Sequence, residues 1–286
     1  MKLLLTTLLA TTLLAFGVAA QTLTPIYSFT NFPGNPLGQF VQGSDGSLYG
    51  VTSSGGVEDA GGVYRITTNG ALTMLSTFAW TNGARPEAGL LAGADGNFYG
   101  TTASGGDIGD GVAFRITPDG ILTTLAKFSV TNGANPRAGL TLGNDGQFYG
   151  TTTGGGSVGF DRYGTIFRLT TNGTLTTLAN FARTNGAYPS AGLTLGSDGN
   201  FYGTTAFGGS NNYGTVFKVT TSGDLTTLAH FNSTTGANPY ADLVQGGAAD
   251  FYGLTYQGGS QNSGTLFRVT TNGALTTLLS YDYYTT

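Results

Sequence analysis

Ala191-Gly-Leu-Thr-Leu-Gly-Ser-Asp-Gly-Asn-Phe-Tyr-Gly-Thr-Thr205 is the stretch on which the fold turns. It recurs, lightly edited, along nearly the whole chain. Its Tyr-Gly pair stands at Tyr49, Tyr99, Tyr149, Tyr202 and Tyr252, in steps of 50, 50, 53 and 50 residues. A fixed period of this size marks a repeat architecture. Within the stretch, Leu193-Thr-Leu195 and Phe201–Thr205 read as two short strands joined at Asp198-Gly199. Downstream, a looser loop around Gly208-Gly209 leads to a third strand, Thr215–Thr220. A turn at Ser222-Gly223 then leads to a fourth, Leu225–Phe231. Asp-Gly and Asn-Gly between β-formers signal two-residue hairpins, whose primed turns need positive φ. No stretch after residue 20 shows helical periodicity with caps.

Four antiparallel strands in about 50 residues form a propeller blade. The expected fold is therefore all-β: a β-propeller of about five four-stranded blades, called A to D in each blade. A β-solenoid is the competing architecture, but its coils are shorter and need no two hairpins per period. The repeats run roughly 30–78, 79–128, 129–181, 182–231 and 232–281, within a single domain spanning 21–286. In strand C, Phe217 and Val219 point one way and Val216 and the Lys218 stem the other, as expected for a blade packed on both faces. The 49 glycines and 9% charged residues do not indicate disorder, because 39% of residues are hydrophobic and the glycines keep fixed repeat positions.

Residues 1–20 read as a secretory signal: Lys2, an apolar run Leu3–Phe16, and Val18-Ala19-Ala20 before Gln21. The chain is then expected to be exported, extracellular or at the surface of a bacterial cell. The absence of cysteine excludes disulfides, a lipid-modified cysteine and thiol catalysis. Without the signal the chain carries 10 basic and 15 acidic side chains. That balance argues against nucleic acid as a partner. No later segment is apolar enough to span a membrane as a helix.

The pattern Pro-x-Ala-Gly-Leu-x-x-Gly-x-Asp-Gly-x-Phe-Tyr-Gly-Thr-Thr, followed by Gly-Thr-x-Phe-Arg-x-Thr and Leu-Thr-Thr-Leu-x-x-Phe, is most complete in 136–181 and 189–231. It resembles the GloVer-type tandem repeat of "choice-of-anchor" secreted bacterial proteins. The resemblance implies an exported, surface-associated protein with no established activity. Members often carry a C-terminal anchoring segment, whereas the last residues here, Ser280–Thr286, include no apolar tail.

A meander blade puts its A–B and C–D turns on one face of the disc and its B–C and D–A loops on the other. The uniform turns look structural, so function is expected on the variable loops. That face gathers the candidate ligand-binding residues Glu58, Asp59, Asp107, Asp110, Asp161, Trp80, Tyr188, Tyr213 and Tyr240, with Glu87, Phe160 and Tyr163 nearby. Exposed rings beside carboxylates and amides suit a glycan or an extracellular protein partner. The plainer account of the same residues, and the favoured one, is solvated loop carboxylates and loop-packing rings. Convergent carboxylates would suit Ca²⁺, but neither an EF-hand nor a Gly-Gly-x-Gly-x-Asp calcium repeat is present, so no cofactor is expected. A non-enzymatic binding or scaffold module is the leading expectation. A carbohydrate-active hydrolase using the acidic loops is the alternative, although no carboxylate pair stands out. The lone His230 reads as a surface residue. The recurring Arg65, Arg115, Arg168, Lys218 and Arg268 read as stems packed between blades, with heads toward turn aspartates.

Strand D occurs six times, counting Leu23–Phe29, while strands A–C occur five times. A closed five-blade ring and an incomplete six-blade ring both fit. Polar replacements mark the end repeats: Gln39 and Asp242 where the middle repeats have Gly89, Gly139 and Gly192, and Gln42 and Gln245 where they have Ala92, Leu142 and Leu195. Such edits suit either a seam or two open ends.

Overall fold

The computed structural model describes residues 34–156 and 162–282. Twenty strands form five four-stranded sheets, each an antiparallel meander in chain order. Blade 1 comprises β1 (Pro36–Gln42), β2 (Leu48–Thr52), β3 (Gly62–Ile66) and β4 (Leu72–Thr77). Blade 2 comprises β5 (Leu91–Ala92), β6 (Phe98–Thr102), β7 (Val112–Ile116) and β8 (Leu122–Lys127). Blade 3 comprises β9 (Thr141–Leu142), β10 (Phe148–Thr152), β11 (Thr165–Leu169) and β12 (Leu175–Asn180). Blade 4 comprises β13 (Thr194–Leu195), β14 (Phe201–Thr205), β15 (Thr215–Val219) and β16 (Leu225–His230). Blade 5 comprises β17 (Val244–Gly247), β18 (Asp250–Thr255), β19 (Thr265–Thr270) and β20 (Leu275–Ser280). The expected blades are thus the observed sheets. The signal segment, the strand-like Leu23–Phe29, Phe160 and Asp161 lie outside the described residues.

The core sits between blades. At each of four interfaces, the tyrosine of one strand B packs on the phenylalanine of the next. Tyr49–Phe98, Tyr99–Phe148, Tyr149–Phe201 and Tyr202–Phe251 have ring centroids 4.1–4.4 Å apart. A second pair forms where the phenylalanine after strand D meets strand C of the next blade edge-on. Phe78–Phe114, Phe128–Phe167, Phe181–Phe217 and Phe231–Phe267 lie at 5.0–5.1 Å. The alternation read in β15 holds: Phe217 and Val219 pack with blade 3 residues, and Val216 with those of blade 5.

The tight turns differ from expectation. In the A–B turn of blade 1, Gly46 N–H donates to Gly43 O and Gly43 N–H to Ser47 O, and only the glycine of the Asp45-Gly46 pair has positive φ. The loop is therefore three residues, a type I turn closed by a left-handed glycine, rather than a two-residue primed turn. The aspartate side chain is the cause. Asp45 Oδ1 accepts the Ser47 N–H, which stabilises the right-handed form at aspartate. The same carboxylate also accepts the strand B tyrosine hydroxyl. Tyr49, Tyr99, Tyr149 and Tyr202 donate to Asp45, Asp95, Asp145 and Asp198 at 2.7–3.1 Å. Blade 5 has Ala248 at this position and no such bond is open to Tyr252.

Burial pushes each of these four carboxyls up, but the accepted hydrogen bonds together outweigh it and hold them below the ordinary aspartate value. Burial and the aspartate together push Tyr99 and Tyr149 up to about 12. A carboxyl whose pKa falls on folding adds stability that is complete above the unfolded value, roughly pH 4, and is lost as pH drops through the folded value. Four copies act in the same direction. The unfolding midpoint in urea is therefore expected to be flat from pH 5 to 7 and to fall below about pH 4. A midpoint unchanged at pH 3 would show that the tyrosine–aspartate bonds contribute nothing net.

The recurring cations stand cross-strand from these tyrosines, as in Tyr99 opposite Arg115 and Tyr202 opposite Lys218. Arg65 reaches Asp45 at 3.8 Å and Arg268 reaches Asp250 at 2.9 Å, in line with the structural role expected of them.

The two end blades depart from the rest. Phe40 is 55% exposed where its counterpart Leu90 is 8%, and Leu254 is 44% exposed where Thr204 is 1%. The polar replacements bond locally or back to the preceding blade. Gln42 donates to Gly46 O, Gln245 Nε2 to Ser197 Oγ, and Asp242 Oδ1 accepts the Gly192 N–H at 2.6 Å. Gln42 and Gln245 form no hydrogen bond with each other.

Candidate ligand-binding face

The B–C and D–A loops occupy one face and are tied together by backbone bonds. In blade 4, Gly209 N–H donates to Arg183 O, and in blade 2 Gly106 N–H donates to Trp80 O. In the motif Thr-Asn-Gly-Ala-x-Pro, with Thr235 in place of the asparagine in the last copy, the x residue is left-handed, with φ of 54–56° at Arg85, Asn135, Tyr188 and Asn238. Asparagine adopts this geometry at low cost, whereas arginine and tyrosine do not. The asparagines also turn inward, Asn135 Nδ2 donating to Ala103 O and Asn238 Nδ2 to Ala206 O, both at 2.9 Å. Tyr188 instead holds its ring outward, 44% exposed, edge-on to Tyr163 and Phe207. The Arg85 guanidinium lies 5.6 Å from the centre of the Trp80 ring.

Three cavities on this face use the candidate residues. One of about 360 Å³ is lined by Glu58, Asp59 and Trp80 with Arg85 and Glu87. Its carboxylates are already engaged. Glu58 Oε2 accepts the Trp80 N–H at 3.0 Å, Asp59 Oδ1 accepts the Gly55 N–H at 2.6 Å, and Glu87 pairs with Arg137 at 3.0 Å. A second cavity of about 520 Å³ is lined by Tyr188 and Tyr240, with Phe207, Arg137 and Asn135. A third of about 290 Å³ opens between Tyr188, Phe207, Tyr163 and Arg183.

The remaining candidates fall elsewhere. Asp107 pairs with Lys127 of its own blade. Asp110 lines none of these cavities; burial pushes its carboxyl up and Arg162 draws it back. Tyr213 is exposed, and its carbonyl accepts the Asn238 N–H. His230 Nδ1 accepts the Ser210 N–H at 3.2 Å, and its ring lines a cavity of about 680 Å³ beside Arg183. No group of three metal-ligating side chains occurs among the described residues.

A further cavity, about 390 Å³, lies where the A strands of all five blades converge. Gln39, Glu87, Arg137, Ser190 and Asp242 each contribute to it. Arg137 and Ser190 were missed by the sequence reading. The signal was available: they occupy the x of Pro-x-Ala-Gly, which the three middle repeats keep while x varies as Glu87, Arg137 and Ser190.

A model of the Gloeobacter/Verrucomicrobia repeat matches residues 11–194 and 157–286. The chain belongs to that family. The resemblance read from the 50-residue motif is thereby borne out. Among curated proteins, none matches this repeat protein by sequence. Among solved structures it is similar to a protein of Agrobacterium tumefaciens assigned as TolB, with 11% identity, a TM-score of 0.52, and 89% of this chain and 83% of that one covered. It is also similar to puromycin hydrolase, with 15% identity and a TM-score of 0.50, covering 86% of this chain and 38% of that one. At such identities the likeness shows the propeller fold alone. Among the described residues of this Gloeobacter/Verrucomicrobia repeat protein, no helix is long and apolar enough to cross a membrane.

Proposed function

We propose that this repeat protein is an exported, non-enzymatic binding module that takes a glycan on its B–C/D–A face. The observation that carries the reading is the cavity of Tyr188 and Tyr240. Two rings from adjacent blades, 44% and 46% exposed, border one opening alongside Asn135 and Arg137. Tyr188 holds its place with a left-handed backbone that costs free energy, and such strain concentrates at working sites. Rings offer apolar faces to the C–H surfaces of a sugar, and the amide and guanidinium supply directional hydrogen bonds. Export rests on Lys2, the apolar run behind it and Val18-Ala19-Ala20.

Each ring is expected to contribute on the order of 1 kcal/mol, so Tyr188→Ala and Tyr240→Ala should each weaken glycan binding roughly 5- to 10-fold. Titration calorimetry on a glycan selected from an array measures this. Unchanged affinity in both variants would move the site elsewhere.

A hydrolase is the second reading, favoured by Glu58, Asp59 and Glu87 lining one cavity. Glycoside cleavage needs one carboxyl to act as acid and another as base or nucleophile. Here Glu58 holds the Trp80 N–H of the neighbouring D–A loop, Asp59 the Gly55 N–H of its own loop, and Glu87 an arginine. Turnover of a bound oligosaccharide that Glu58→Gln abolishes would establish the hydrolase and displace the binding module.

A further inference from the structure

The cavities on this face share walls in series. Glu87 belongs both to the Trp80 cavity and to the axial one. Arg137 and Ser190 belong both to the axial cavity and to that of Tyr188 and Tyr240. Tyr188 and Phe207 carry the run into the Tyr163 cavity, and Arg183 and Asn212 carry it on to His230. The result is a series of openings that share wall residues, from blade 1, across the axis, to blade 4.

Resting on the glycan reading above, we infer that the ligand is an extended polysaccharide segment, laid across the disc and held by several sugar residues at once. A monosaccharide would fill only one of these openings. The apolar surfaces along the run are separate rings, Trp80 at one end and Tyr240 and Tyr188 farther on, with charged and amide groups between them. That spacing suits a chain of repeating units, each offering an apolar face and a rim of hydroxyls. Its ends also differ in charge. Glu58 and Asp59 stand with Arg85 at the Trp80 end, and Arg183 stands without a carboxylate at the other. A single paired bridge, Glu87–Arg137, crosses the middle.

The test is an array of defined chains from one to six residues, covering β-1,3- and β-1,4-glucans, β-1,4-linked N-acetylglucosamine and β-1,4-linked galacturonate. It uses the full chain, Trp80→Ala and Tyr188→Ala, with far-UV circular dichroism to confirm folding. Affinity should rise at least 10-fold between two and five residues in one of the series. Trp80→Ala should remove that gain, while Tyr188→Ala should weaken every length. Binding that plateaus at one or two residues and still depends on Tyr188 would overturn the extended segment and leave the glycan site standing. No binding to any chain, or binding indifferent to Tyr188, would overturn the glycan reading itself.

Discussion

Phe217→Ala is expected to remove about 3–5 kcal/mol of folding stability, the range for emptying a fully buried aromatic position. Phe217 has no exposed surface and lies in the middle of the array, at the junction of blades 3 and 4. Its ring meets Phe181 from the preceding blade at 5.1 Å, and it also closes over Gly203 of its own blade, where even a Cβ would come within 2.6 Å of it. Truncation therefore opens a void that neither neighbour can fill. For a domain of this size the thermal midpoint should drop by roughly 10 °C. Phe217→Leu keeps most of the volume and should lose less than half as much. A drop under about 1 kcal/mol for Phe217→Ala would mean that the blade interface does not depend on this aromatic pair.

Gly214→Ala is the second large effect. Gly214 ends the B–C loop of blade 4 at φ +99°, and a Cβ there would lie 2.2 Å from the carbonyl oxygen of Thr205, a backbone atom that cannot rotate aside. Strain and collision add, and a loss of at least about 3 kcal/mol is expected. The geometry recurs at Gly61, Gly111, Gly164 and Gly264, whose added Cβ atoms would fall 2.1–2.3 Å from the matching threonine oxygens. The internal control is Gly199→Ala. Gly199 also has positive φ, at +77°, but its nearest neighbour would be 3.9 Å away, so only the left-handed cost of about 1 kcal/mol applies. Equal losses in the two variants, measured by urea denaturation, would show that φ alone matters and that the close approach to Thr205 is relieved by a small loop shift.

These glycines explain why so much of the blade could be read without coordinates. Strand period, turn composition and the spacing of Tyr-Gly are local properties of the chain, and each repeat restates them. The turn geometry was less accessible. Asp-Gly pointed to a hairpin correctly, but the aspartate carboxylate, by accepting the N–H two residues on and the tyrosine hydroxyl four residues on, selects the three-residue form. Blade 5 shows the converse. Ala248 and Ala249 replace the Asp-Gly pair, and Gly247 pairs directly with Asp250 across a two-residue turn.

The candidate site was legible in part. The face was found because loop variability marks it. Trp80, Glu58 and Asp59 line one cavity, and Tyr188 and Tyr240 line another. The uses of the carboxylates were not legible. Glu58 reaches the Trp80 N–H across 22 residues and Glu87 reaches Arg137 across 50. Nothing local in either segment encodes the approach.

By itself the sequence determined a five-fold repeat of four-stranded meanders, the two-sided packing of each blade, and which loops share a face. All three follow from periodicity and turn chemistry, which act over a few residues. Only the tertiary structure decided which residues of different blades meet. That includes the convergence of Gln39, Glu87, Arg137, Ser190 and Asp242 at the axis, and the shared walls that join the cavities. Those meetings depend on the spacing and rotation of one blade against the next. Aromatic pairs such as Tyr149–Phe201 and Phe181–Phe217 set both quantities, and their partners lie 52 and 36 residues apart along the chain.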